Sequence, residues 1–131
     1  MPVRLTRPAL DQILAEAASA APEECCGILL GHDGVIGEAL PAMNVAIDRR
    51  RHFEIDPQAL VDAHRAARGD GPDVIGYYHS HPAGPAEPSA VDRAMASADG
   101  KVWAIVGEGG VTFWCDDRDG FAPLPYVVED R

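Results

Sequence analysis

The chain has 131 residues, 47% of them apolar, and its 21 acidic against 11 basic side chains give a net charge of −10. Its single lysine, Lys101, and one local arginine cluster flanked by acids offer no cationic stripe for a phosphate backbone, and no apolar run reaches the ~18 residues of a membrane span, so nucleic acid and membrane drop out as expected partners. That length suits one domain, 1–131, with a core large enough to need no staples.

Met1-Pro-Val-Arg-Leu-Thr6 lacks the apolar centre of a signal peptide. The cysteines are an adjacent pair, Cys25 and Cys26, and the distant Cys115. They form neither a disulfide framework nor a CxxC knuckle, and a cytoplasmic protein with reduced thiols is expected. From Arg7 to Ala20 the chain reads as an amphipathic helix: Thr6 caps it, Pro8 suits the first turn, and Leu10, Ile13, Leu14 and Ala17 make one apolar stripe. Cys26 to Leu30 reads as a buried strand, Gly31-His-Asp-Gly34 as a tight turn that leaves His32 in solvent, and Val35 to Leu40 as the return strand. Met43 to Ala46 reads as another short strand. Arg49-Arg-Arg-His52 reads as a solvated basic loop, or as a contact for an acidic protein partner. His52 to Asp56 alternates, with Phe53 and Ile55 on one face. Asp56-Pro57 then opens a helix that stops near Gly69, with His64 on its surface or in a groove.

Val74 to Tyr78 is an apolar, β-prone run, and Pro82 marks its expected end. His79 and His81 stand two apart, so an extended backbone points both to one face and Ser80 to the other. A Pro/Gly/Ala loop follows and a helix opens at Ser89, with Asp92 in its first turn. Two imidazoles and a carboxylate make the N/N/O set of a catalytic zinc site that keeps a fourth position for water. Iron or manganese fits such a set less well. Ser89-x-x-Asp92 also fits a capping box, which needs no metal. Glu23 and Glu24, ahead of the Cys26 strand, read either as linker residues or as a general base beside a metal. Both cysteines of the pair read as small core residues, with no histidine near in sequence to activate them. Lys101 to Val106, Gly110 to Cys115 and Phe121 to Val128 complete the expected strands, the last weakened by Pro123 and Pro125. The expectation is an α/β fold, one mixed β-sheet flanked by helices.

Pro-x-Glu-x-Cys-Gly (Pro22 to Gly27), His-Ser-His-Pro (His79 to Pro82) and Pro-Ser-x-x-Asp (Pro88 to Asp92) occur in the order of the JAMM signature. The chain resembles the zinc metallopeptidases of the Mov34/MPN/PAD-1 group over nearly its whole length, in a compact prokaryotic form without the insertions that grip ubiquitin chains. That resemblance implies a cytidine-deaminase-like architecture. It implies Zn2+ on His79, His81 and Asp92, with Glu24 rather than Glu23 as general base and Ser89 as hydrogen-bond donor to the oxyanion. It also implies hydrolysis of an amide or isopeptide bond after the C-terminal Gly-Gly of a ubiquitin-like or sulfur-carrier protein. Two other readings stand beside it: a non-catalytic MPN-type binding module with a structural metal, and a peptidase acting on cell-wall or phage-tail peptides.

Overall fold

A computed structural model describes residues 2–129. Within them eight strands form one sheet: β1 (Val3–Thr6), β2 (Cys26–His32), β3 (Val35–Ala42), β4 (Asp73–Pro85), β5 (Val102–Glu108), β6 (Gly110–Asp117), β7 (Gly120–Leu124) and β8 (Tyr126–Glu129). The helices are α1 (Arg7–Ala20), α2 (Pro57–Arg68) and α3 (Ala90–Met95). The strand order is β7-β6-β5-β4-β2-β3-β1-β8, and β4 is parallel to β5 while β2 runs antiparallel to both β3 and β4. This is the expected mixed sheet flanked by helices.

α1 begins where its cap predicts, with Thr6 Oγ1 accepting from the Ala9 N–H, and it buries Leu10 and Ile13 against Leu5, Leu29, Ile36 and Tyr78. Leu14, placed on the same stripe by spacing, is 39% exposed. α2 covers the opposite face, where Ala63 packs with Ile28, Leu30 and Val74, and Asp56 caps it by accepting from Gln58 N–H. Gly27 and Gly76 permit close approach in the middle of the sheet. A Cβ on Gly27 would enter the Tyr78 ring, and one on Gly76 would strike the Val102 carbonyl.

Several expectations are corrected. β1, an unnoticed short strand, pairs parallel with β3 and β8. Residues 43–46 and 52–56 are not strands. They are extended segments joined by a single bridge, Asn44↔Ile55, although Phe53 and Ile55 are buried as their alternation requires. The tight turn narrows to Asp33-Gly34, both at positive φ (54° and 78°), because β2 runs on through His32.

β4 does not stop at Pro82 but continues to Pro85. Its ladder with β5 skips from Ser80 to Pro85, so Pro82 sits in an irregularity where no N–H is required of it. The last expected strand divides at Pro125 into β7 and β8, which lie at opposite edges of the sheet. One residue spans at most ~7 Å between its neighbours' Cα atoms, so the sheet curls until its two edges nearly meet. Val3 N–H donating to the Pro125 carbonyl at 2.8 Å and Phe113 lying 4.9 Å from Tyr126 mark the seam.

Candidate metal centre and cleft

The parallel β4–α3–β5 crossover puts the start of α3 beside the last paired residues of β4, where α/β sheets commonly bind ligands. His79 and His81 point to the α2 face, while Ser80 turns to the other and accepts the Cys25 N–H at 2.8 Å. Ser80 therefore ties β4 to the residue after Glu24.

His79 Nε2 lies 3.1 Å from His81 Nε2 and 3.1 Å from Asp92 Oδ2, and His81 Nε2 lies 3.2 Å from the same oxygen. Donors at ~2.0–2.1 Å from a tetrahedral zinc stand roughly 3.3 Å apart, so this near-equilateral triangle fits that ion to within a few tenths of an ångström. The ring orientations support the fit. His81 Nδ1 stands 2.9 Å from the Pro85 carbonyl, which can only accept, so this nitrogen carries the proton. In neutral His81 the Nε2 lone pair then faces a carboxylate, an arrangement that needs a cation or a proton between them. His79 is held between Phe53, stacked at 4.1 Å, and Trp103, edge-on at 5.6 Å. Asp92 is fixed by the capping box: its Oδ2 accepts the Ser89 N–H at 2.9 Å, and its own N–H donates to Ser89 Oγ at 3.0 Å. Capping and metal-ligating readings of this pair are thus compatible.

A second grouping overlaps the first: ligand atoms of Glu24, His79 and His81 all lie within 4.8 Å of one another. The shorter Asp92 contacts make Asp92 the better third donor and leave Glu24 beside the triangle. Glu24 is 7% exposed; its N–H donates to the Arg49 carbonyl at 2.7 Å and its carbonyl accepts from Asn44 Nδ2 at 3.0 Å. Glu23 is exposed and pairs loosely with Arg49 at 3.6 Å. Asn44 carries no motif that marks it as part of the site. Its side chain also donates to the His52 carbonyl and accepts from Ala46 and Glu54 N–H, so one amide holds both Glu24 and the segment carrying Phe53. An Asn between apolar residues in an otherwise strand-like run was the available signal. The other three histidines join no donor group with His79 and His81 among the described residues: His32 is exposed, His52 sits in the arginine turn, and His64 Nε2 meets Tyr77 Oη at 3.3 Å. All three cysteines are free, with Cys25 and Cys26 buried.

Burial pushes the Glu24 carboxyl from 4.5 up to about 7, with Asp92 and Asp48 adding to the rise and His81 opposing it. Burial also pushes His79 down, against its bond to Asp92. In His81 burial lowers the pKa, but Asp92 and the Pro85 carbonyl outweigh it and the net shift is upward. Burial raises Asp92, yet the two imidazoles and the Ser89 N–H prevail and hold it well below the usual carboxylate range. A divalent cation at the triangle must displace the His81 proton and draws down the Glu24 pKa, so metal and protons compete. Zinc affinity is therefore expected to rise at least tenfold from pH 5.5 to 7.5, with proton release detectable by calorimetry in buffers of differing ionisation heat. A pH-independent affinity would remove His81 from the ligand set.

Glu24, His81, Ser89 and Pro85 open onto a cleft of ≈ 370 Å³ that Arg50 and Arg51 also line. The site is thus a largely buried donor triangle that meets a cleft at His81, beside a carboxyl and a hydroxyl.

Comparison with known proteins adds the following. The family model described as prokaryotic homologs of the JAB domain matches residues 6–116. A desampylase of Haloferax volcanii is 38% identical over 132 residues, covering 95% of each chain. A probable TtuB-protein conjugate cleaving protease of Thermus thermophilus is 35% identical over 103 residues, 78% of this chain and 68% of that one. A solved structure described as JAMM, a metalloprotease-like zinc site in the proteasome and signalosome, superposes with a TM-score of 0.65 at 23% identity, covering 99% of this chain and 100% of the other. At that identity it bears on the fold alone. Among the described residues no helix is long and apolar enough to cross a membrane.

Proposed function

The chain belongs to the family of prokaryotic homologs of the JAB domain, and on that premise we propose that it is a zinc-dependent hydrolase that cleaves an amide or isopeptide bond after the C-terminal Gly-Gly of a ubiquitin-like or sulfur-carrier protein. At the coarser level it is a JAMM-type deconjugating enzyme, in keeping with the desampylase and the conjugate-cleaving protease it resembles. The observation that supports the hydrolase chemistry is the triangle of His79, His81 and Asp92 with edges of 3.1, 3.1 and 3.2 Å, whose His81 corner lines the cleft with Glu24 and Ser89.

His79, His81 and Asp92 would hold the ion. Zinc bound there supplies Lewis acidity, which lowers the pKa of water and polarises the scissile carbonyl. Glu24, buried yet facing the cleft, takes a proton at its carboxylate from the attacking water and passes it to the leaving amine nitrogen. With its pKa brought near neutrality by burial it is suited to both halves of that transfer, although a nearby cation pulls it toward the ionised base. Ser89 Oγ uses a lone pair to accept the Asp92 N–H, so its own proton remains available to donate into the cleft and stabilise the oxyanion of the tetrahedral intermediate. Ser80 spends its oxygen on the Cys25 N–H and takes no part in bond cleavage. Glu24 is the one further donor grouped with both histidines among the described residues, and its use as a base rather than as a fourth ligand separates the hydrolase from a closed structural zinc site and the binding-module reading. Three unpaired thiols suit the reducing cytoplasm proposed for it.

The test is to incubate zinc-loaded protein with a carrier protein joined through Gly-Gly to a lysine or extended by one amino acid, and to weigh the products. Release of a carrier ending in Gly-Gly is expected, and chelation should abolish it. Persistent inertness toward both conjugates, with zinc present at about one per chain, would exclude this substrate class.

A further inference from the structure

Three arginines stand in succession, Arg49 to Arg51, in a chain whose net charge is −10. Their placement is determined by the candidate site. The Asp48 carbonyl accepts from both Arg51 and His52 N–H, closing a turn with Arg50 at its tip. On one side of that turn the Arg49 carbonyl accepts the Glu24 N–H at 2.7 Å. On the other, the His52 carbonyl is held by Asn44, and Phe53 stacks on His79. A turn tied at both ends to residues of the site holds its backbone at a set position relative to that site.

Charge pairing within the turn is incomplete. Arg49 meets Glu23 at 3.6 Å and turns away from the cleft, whose lining it does not join. Arg51 makes a loose contact with Asp48 at 3.8 Å, both side chains being largely exposed. Pairs of that kind are worth little and are easily exchanged. Arg50 has no ion pair among the described residues, yet it lines the cleft with Glu24, His81 and Ser89. Glu87 lines the same cleft and makes no ion pair with either guanidinium among the described residues.

We propose that Arg50 and Arg51 form an anion subsite that receives a substrate carboxylate close to the scissile bond. A guanidinium offers a planar pair of N–H donors that matches a carboxylate in two parallel hydrogen bonds. The two glycines next to the scissile bond carry no side chains, so an anion this close to that bond belongs to the leaving group or to its immediate surroundings. Two sources share this chemistry: the free α-carboxylate of a single amino acid appended to the tail, and an acidic side chain beside a target lysine. This assignment deepens the hydrolase reading and rests on it for the choice of probes.

Two probe pairs separate the sources. One is a synthetic peptide ending in Gly-Gly-Ala as the free acid or as the C-terminal amide. The other is a Gly-Gly isopeptide on a lysine flanked by Glu or by Gln. Binding is measured by calorimetry with zinc-loaded Glu24→Gln protein, so that no turnover is needed, and hydrolysis is measured separately with wild type. Roughly tenfold tighter binding of the charged member of one pair is expected at low salt, shrinking at high salt. That preference should vanish when Arg50→Gln and Arg51→Gln are added and should reverse with Arg50→Glu. Preference confined to the acid–amide pair assigns the α-carboxylate; preference confined to the Glu–Gln pair assigns the side chain. Equal binding of charged and neutral members, or a preference that survives loss of both arginines, overturns the subsite. Charge-dependent binding without hydrolysis of any probe keeps the subsite and overturns the hydrolase reading instead. Hydrolysis with no charge preference does the reverse.

Discussion

Glu24→Gln is expected to lower kcat on a Gly-Gly-linked substrate by about 10²–10⁴-fold while leaving zinc at about one per chain. The amide is nearly isosteric with the carboxyl, so the Arg49 and Asn44 bonds to the Glu24 backbone survive, as does the Ser80 bond to Cys25. What disappears is the capacity to take and return a proton. Removing a carboxyl from a buried position beside His81 also relieves desolvation, so the variant should fold at least as well as wild type. Single-turnover rates, zinc content and thermal melting on the same preparations distinguish loss of chemistry from loss of structure. A variant that cleaves at the wild-type rate would eliminate Glu24 as the base. One that loses zinc as well would move Glu24 into the ligand set that its 4.8 Å grouping with the two histidines also allows.

Replacing both imidazoles should have the other large effect. In His79→Ala/His81→Ala, bound zinc is expected to fall from about one per chain to near zero, activity to become undetectable, and the stabilisation by added zinc to disappear. The two positions differ in what else they lose. His79 is fully buried between Phe53 and Trp103, so its truncation leaves a cavity and should cost about 2–4 kcal/mol irrespective of metal. His81 is partly exposed and packs less, so His81→Gln alone isolates the ligand effect. Elemental analysis and melting curves with and without zinc provide the readout. Undiminished zinc in the double variant would shift the metal elsewhere. Asp92 is a poorer first target, because its loss also breaks the capping box on α3 and costs about 1 kcal/mol through the helix start.

Much of the centre was legible because its parts obey short-range rules. The two-residue spacing of His79 and His81 assigns both to one face of any extended backbone, and Ser80 to the other, wherever that strand lies. Thr6, Asp56-Pro57 and Ser89-x-x-Asp92 announce helix starts through bonds made within three residues, and each caps the helix it was assigned. The motifs from Pro22 to Asp92, in their order, carry the family resemblance on their own.

Other features depended on strand partners and packing that no local pattern carries. Pro82 looked like a strand end, but a proline is unfavourable only where the ladder asks for its N–H, and β5 skips that stretch. Residues 126–128 looked like a continuation of β7, yet Pro125 lets the chain step across the seam of a curled sheet to β1. Glu24 and Asp92 lie far apart in sequence, and register between β2 and β4 brings the one beside the other: Cys26 pairs with His79, and the Cys25 N–H reaches Ser80.

By itself the sequence determined which residue types were present, which face of a strand or turn of a helix each occupied, and hence which donors were available. Only the tertiary structure decided that the three donors form a triangle of metal-ligand size, that Asn44 anchors Glu24, and that Arg50, with no ion pair among the described residues, lines the same cleft. The reason is physical. Backbone periodicity and capping act over a few residues, whereas distances between elements follow from sheet register and from the mutual burial of faces contributed by the whole chain.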